Sequence, residues 1–133
     1  MKRGVNFIFI DTAHIYTGGT SERVIGETLS PYSPDLVVAS KCGYGNGAPD
    51  VLRGEIEQSL ASLKTDCIAL YQLHRVDPQV DIEVSVGALK GFQDEGKIKH
   101  IGLSEVTVDQ IKRARKVAEI ASVQNHYNMN ERG

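Results

Sequence analysis

Four residues in this sequence have types and spacings that suit acid–base chemistry at a carbonyl: Asp11, Tyr16, Lys41 and His74. Asp11 closes the run Val5-Asn6-Phe7-Ile8-Phe9-Ile10. Lys41 follows Leu36-Val37-Val38-Ala39, and His74 follows Cys67-Ile68-Ala69-Leu70-Tyr71-Gln72-Leu73. Tyr16 lies in the segment just past Asp11. A free tyrosine titrates near pH ~10, too high for a well-matched acid at neutral pH. A cation at hydrogen-bond distance favours the phenolate and lowers that value. Lys41 is a candidate for the cation, Asp11 can pair with it, and His74 can orient a substrate oxygen. A tenfold change in acidity corresponds to about 1.4 kcal/mol, so a useful shift needs a close, desolvated contact. The set suits proton donation to a carbonyl oxygen while hydride reaches the carbon. None of these side chains carries hydride, so a nicotinamide or a flavin must supply it.

Taken singly, each residue has a plainer role. Asp11-Thr12 can cap a loop, Tyr16 can sit in a surface turn, Lys41 can be a solvated strand end, and His74 can bond to backbone. The chemical reading rests on all four together.

Such convergence requires a scaffold that delivers strand ends to one face. Two further runs end in polar residues: Ile98 to Leu103 ends at Ser104, and Ile120-Ala121-Ser122-Val123 ends at Gln124. Near-continuous apolar runs of this length are typical of parallel strands covered on both faces. The intervening segments carry helix signals. Thr20-Ser21-Glu22 opens a helix with Val24, Ile25 and Leu29 on one face. Asp50 can N-cap a helix with apolar positions Leu52, Ile56, Leu60 and Leu63. Asp81 precedes a helix carrying Val86, Leu89 and Phe92, closed by Gly96. Thr107 and Gln110 form a capping box ahead of Ile111, Ala114 and Ala118.

This alternation predicts an α/β fold with right-handed crossovers, either a doubly wound sheet or a (β/α)₈ TIM barrel. The strand ends recur at a spacing of roughly 30 residues, which matches one barrel unit, since ~250 residues make eight. The barrel's C-terminal face is where active sites are built from several strands. The expectation is therefore an incomplete barrel of about five parallel βα units, with first and last strands as open edges prone to self-association.

The doubly wound alternative has one motif in its favour. Gly43-Tyr44-Gly45-Asn46-Gly47-Ala48 fits G-x-G-x-x-A directly after a strand. Pro49 and Asp50, however, start the helix after the glycines rather than through them. The next strand ends in His74 rather than in a ribose-binding acid, and Asp66 lies at its beginning. The reading preferred here is a plain βα loop.

Composition narrows the class further. The 133 residues suit a single domain, and 41% hydrophobic with 24% charged residues is ordinary for a globular chain. A net charge of -2 gives no pointer to nucleic acid or an anionic membrane. No apolar run approaches the roughly 18 residues of a spanning helix. Met1-Lys2-Arg3 resembles a signal-peptide start, but Val5 to Ile10 is too short for its apolar core. The expected location is the cytoplasm, with Cys42 and Cys67 as reduced thiols. A metal-dependent hydrolase using His14, His74 or Asp11 is disfavoured, because no H-x-H or H-E-x-x-H spacing is present.

In its motifs the chain resembles the aldo-keto reductase superfamily. Asp11-Thr12-Ala13-His14-Ile15-Tyr16 is similar to the family's D-T-A-x-x-Y, and Ser21-Glu22-x-x-Ile25-Gly26 to its S-E-x-x-[IVL]-G. Ala39-Ser40-Lys41 resembles [AS]-[TS]-K. The stretch Asp66 to Arg75 resembles D-x-I-D-L-Y-Q-x-H-R. Gly96 to Ser104 resembles G-K-I-R-x-I-G-[LV]-S, and Gln124-Asn125-x-Tyr127-Asn128 resembles Q-x-x-Y-[NS].

The resemblance implies an NADPH-dependent reductase of aldehyde and ketone carbonyls on a (β/α)₈ barrel. It implies Tyr16 as general acid, Lys41 and Asp11 tuning it, His74 positioning substrate, and Ser104 and Gln124 holding the nicotinamide carboxamide. The position after Ser104 is often Asn in the family and is Glu105 here. The segment between Gly4 and Asp11 is about two residues longer than usual, an even number that preserves which side chains face inward. By resemblance, residues 1–133 form one domain truncated at both ends, lacking the first unit and the last two. The latter carry the aromatic that stacks on nicotinamide and most of the adenosine-phosphate site. The alternative is an inactive remnant serving as a binding or structural module.

Overall fold

Each apolar run becomes a strand and each amphipathic segment a helix, in strict alternation. The computed structural model describes residues 8–13, 20–33 and 36–124. The elements are β1 (Ile8–Asp11), α1 (Thr20–Leu29), β2 (Leu36–Cys42), α2 (Pro49–Leu63), β3 (Ile68–Leu73), α3 (Ile82–Asp94), β4 (Ile98–Ser104), α4 (Val108–Arg115) and β5 (Ile120–Gln124). The five strands lie in sequence order, and every pairing is parallel. A doubly wound sheet reverses its strand order at a switch point. No reversal occurs among these strands, and the arrangement is a run of consecutive units of a (β/α)₈ barrel.

The core lies between the sheet and its helices. Tyr71 and Leu73 of β3 and Ile101 and Leu103 of β4 are fully buried, as are Leu52, Ile56 and Leu63 of α2 and Val86, Leu89 and Phe92 of α3. Each such side chain contributes about 1.5–3 kcal/mol relative to exposure. Thr107 caps α4 by accepting from the Gln110 backbone N–H at 3.1 Å, and the Gln110 side chain accepts from the Thr107 N–H at 2.9 Å. Gly96 ends α3 in the left-handed region at φ +83. Both cysteines are free thiols, Cys42 buried and Cys67 partly so.

Two local expectations change. Helix α2 starts at Pro49 with Ala48 as N-cap, so Asp50 sits in the first turn. Proline is well suited there, because its missing N–H would have no partner in the first turn anyway. Helix α1 does not bury Val24 or Leu29, which are exposed. It buries Glu22 and Gly26 instead. A Cβ at Gly26 would run into the Ser62 carbonyl oxygen and lie 2.8 Å from the Leu63 carbonyl carbon. This glycine sets the close approach of α1 to α2. Glu22 is buried because Ser40 of β2 and Ser59 of α2 both donate to its carboxylate, the latter at 3.0 Å.

Candidate active site

Strand register decides which side chains share a face. Asp11 is paired with Ala39, and Lys41 lies two residues further on the same face of β2. Lys41 is paired with Gln72, two residues before His74. Gln72 is in turn paired with Gly102, two before Ser104, and Ser104 is paired with Gln124. The period of two therefore brings Asp11, Lys41, His74, Ser104 and Gln124 to one face at the C-terminal ends of five strands.

The face is held together by direct contacts. The Lys41 Nζ donates to Asp11 Oδ1 at 2.8 Å and to the Thr12 carbonyl oxygen at 3.3 Å. The lysine side chain is 4% exposed and the aspartate 35%. Gln124 Nε2 donates to the other Asp11 oxygen at 3.4 Å, linking the fifth strand to the first. The His74 backbone N–H donates to the Cys42 carbonyl oxygen at 2.6 Å, extending the β2–β3 ladder one residue past β3. Beneath these groups, Gln72 Nε2 donates to Ser122 Oγ at 3.3 Å. The crossing needs Gly102, where a Cβ would lie 2.5 Å from Ser122 Oγ and 2.7 Å from Gln72 Cγ.

Burial is the main cause that lowers the His74 pKa below its ordinary value, and the Lys41 and Arg75 cations lower it further. The imidazole is accordingly neutral at pH 7, able to donate from one nitrogen and accept at the other. Tyr71 is no rival acid for this face. It is buried on the helix side, where desolvation above all holds its phenol well above the usual value. Tyr16 and His14 lie outside the described residues, as does the start of the lengthened first strand. Among the described residues no group of three His, Cys, Asp or Glu side chains is placed to hold a metal.

Some site features were not evident from the sequence. The Tyr44 ring packs against His74, with centroids 4.9 Å apart, and the Arg75 guanidinium lies 5.5 Å from the Tyr44 ring centroid. Tyr44 follows the Lys41 strand end, which is the signal that marks it as a site-mouth residue. Glu105 adopts φ 57, the left-handed region that Asn tolerates better than Glu. Its N–H donates to the Gln124 carbonyl oxygen at 2.9 Å.

The glycine-rich loop does not cradle phosphate. Its Gly43 N–H is taken by Glu55 at 2.8 Å, its Gly47 N–H by Asp77 at 3.0 Å and its Ala48 N–H by Asn46 at 3.0 Å. Two carboxylates already occupy positions that a phosphate would need.

A model of the Aldo/keto reductase family matches residues 1–132. The chain belongs to this family. It is 40% identical over 134 residues to an uncharacterized oxidoreductase, C215.11c, of Schizosaccharomyces pombe, covering 94% of this chain and 44% of the relative. It is also 40% identical over 125 residues to the aldo-keto reductase str7 of Strobilurus tenacellus, covering 90% of this chain and 37% of that protein. Among solved structures, the glycerol dehydrogenase AKR11B4 from Gluconobacter oxydans superposes with a TM-score of 0.86 at 31% identity, over 93% of this chain and 42% of that one. An aldo-keto reductase from Klebsiella pneumoniae in complex with NADPH superposes with a TM-score of 0.80 at 27% identity, over 90% and 43%. The chain thus spans less than half the length of these relatives. Its five strands match part of the TIM-barrel fold of these structures. No helix among the described residues is long and apolar enough to cross a membrane.

Proposed function

We propose that this chain carries the acid–base half of an NADPH-dependent carbonyl reductase active site, acting on small aldehydes or ketones. The observation that carries the reading is the Lys41–Asp11 pair at 2.8 Å, its lysine buried and its aspartate one-third exposed, on the same face as a neutral His74. Burying a lysine ammonium costs desolvation that one partly exposed partner repays poorly, so its presence at a strand-end face favours a functional role. Tyr16 is the general acid, Lys41 with Asp11 tunes it, and His74 orients the carbonyl oxygen. The donor set on this face fits a nicotinamide carboxamide. Ser104, two strands from Lys41, offers a buried hydroxyl, and Gln124, three strands away, an exposed amide. NADPH supplies the hydride when bound.

The residues themselves perform three tasks. His74, held by its backbone bond to Cys42, offers a fixed hydrogen bond to the substrate oxygen. The Lys41 cation favours a phenolate at Tyr16 and so eases release of the phenolic proton to that oxygen. Asp11 keeps the ammonium aimed at the mouth rather than into solvent. Residues 1–133 act as part of one reductase domain in the cytoplasm. Among the described residues the outer edges of β1 and β5 are unpaired, and further strands add there, from the same polypeptide or from a second copy.

The test is turnover of an aromatic aldehyde with excess NADPH, in the chain and in Tyr16→Phe. The expected loss in kcat is about 10²–10⁴-fold, the contribution of a positioned acid. Undiminished turnover in Tyr16→Phe would remove Tyr16 from the mechanism. No turnover in the parent chain would favour the binding or structural module.

A further inference from the structure

Beside His74 the β2–α2 loop and the residue after β3 build a second feature. Tyr44 is half exposed, yet its ring is held at the mouth by contact with His74 at 4.9 Å. The Arg75 guanidinium lies over that ring at 5.5 Å. Arginine stacked on an aromatic face keeps its in-plane N–H donors available, and those donors match a carboxylate in bidentate geometry. Among the described residues no ion pair links Arg75 to a carboxylate, whereas Arg53 is paired with Glu95 and Arg113 with both Asp81 and Glu83. The two contacts also bound the distance from imidazole to guanidinium at roughly 10 Å, about one Debye length in 0.1 M salt. A substrate whose oxygen meets His74 can therefore reach Arg75 with a group at its far end.

We propose that Tyr44 and Arg75 form the outer subsite for substrate, selecting carbonyl compounds that carry a carboxylate on a flat or aromatic body. The body packs on Tyr44 and the carboxylate pairs with Arg75. The proposal rests on the reductase reading. Loop architecture makes it specific to this arrangement. Gly43 and Gly45 take positive φ of 80 and 90, and the Gly43 and Gly47 amides are tied to Glu55 and Asp77, so Tyr44 projects from an anchored turn.

The experiment compares 4-carboxybenzaldehyde with its neutral methyl ester, both at excess NADPH, in the chain, in Arg75→Gln and in Arg75→Lys. The readout is the ratio of kcat/KM for acid over ester. Arg75 is exposed, and a charge pair at an exposed site is worth up to about a fivefold effect. Arg75→Gln is expected to lower the ratio about fivefold, and Arg75→Lys is expected to retain part of it. Added salt is expected to shrink the ratio in the parent chain and leave it flat in Arg75→Gln. In parallel, saturation-transfer NMR follows binding of the corresponding carboxylated and esterified benzyl alcohols. Turnover with a ratio unchanged by Arg75→Gln would overturn the subsite and leave the reductase reading standing. Arg75-dependent preference for the carboxylated alcohol without any turnover would overturn the reductase reading and keep an anion subsite.

Discussion

Removing either partner of the Lys41–Asp11 pair is expected to have unequal consequences, and the inequality follows from exposure. At 2.8 Å and an effective dielectric of 20, the gross attraction is about 6 kcal/mol before desolvation. In Asp11→Asn the ammonium stays 96% shielded by its surroundings and keeps the Thr12 carbonyl oxygen at 3.3 Å. An uncompensated buried charge costs about 3–5 kcal/mol, and the Thr12 contact argues for the lower end, about 3 kcal/mol. In Lys41→Met the aspartate, one-third exposed, regains water, and the thioether fills the lysine stem. The expected cost is about 1 kcal/mol. The double variant should resemble Lys41→Met alone, because no charge is then left buried. Urea unfolding of the four proteins, with midpoints and slopes fitted together, gives the cycle. The expected coupling exceeds about 2 kcal/mol. Additivity within about 0.5 kcal/mol, or Lys41→Met as the costlier single change, would refute the argument.

Two other outcomes follow from the same structure. By NMR titration, His74 is expected to protonate below the ordinary 6.5. In Lys41→Met its pKa should rise, because a cation that lowers it is gone, yet stay below 6.5 because burial is the larger cause. Since the folded value lies below the unfolded one, the unfolded chain takes the proton first. His74 therefore withdraws stability as pH falls from about 6.5 toward its folded value. A wild-type titration at or above 6.5 would contradict this. Gly26→Ala, where the new methyl would meet the backbone of Ser62 and Leu63, should cost about 3 kcal/mol in the same urea assay, and a cost below about 0.5 kcal/mol would contradict the close approach of α1 to α2.

The strand ends were legible in the sequence because two signals coincide there: an apolar run stops and a polar, chemistry-bearing residue begins. Asp11, Lys41, Ser104 and Gln124 lie within their strands and His74 one residue beyond. Helix α4 was legible for a local reason, since a capping box needs no tertiary partner. The face of α1 was legible only in part, Ile25 packing on the core while Val24 and Leu29 do not, because hydrophobic periodicity counts apolar residues. This helix meets its neighbour through a glycine and an acid whose partners, Ser40 and Ser59, lie 18 and 37 residues away. The Tyr44–His74–Arg75 contacts were missed for a related reason. They depend on how a turn with two left-handed glycines folds over the next strand end, and no periodicity encodes that. The G-x-G-x-x-A pattern misleads in the same region, because pattern alone cannot reveal that carboxylates already claim the loop amides.

Each strand in this sheet pairs with the strand that follows it in sequence, so most of the architecture can assemble from neighbouring units, as in repeat proteins. The bond from Gln124 to Asp11 is of a different kind: it joins groups 113 residues apart. Closing so long a loop costs entropy that neighbouring contacts do not, and contacts of this range form late. The two ends of the described sheet therefore meet at Asp11, the same residue that holds the lysine. Chain order thus splits the carboxylate: one oxygen is engaged within the first two strands, and the other only once β5 has docked.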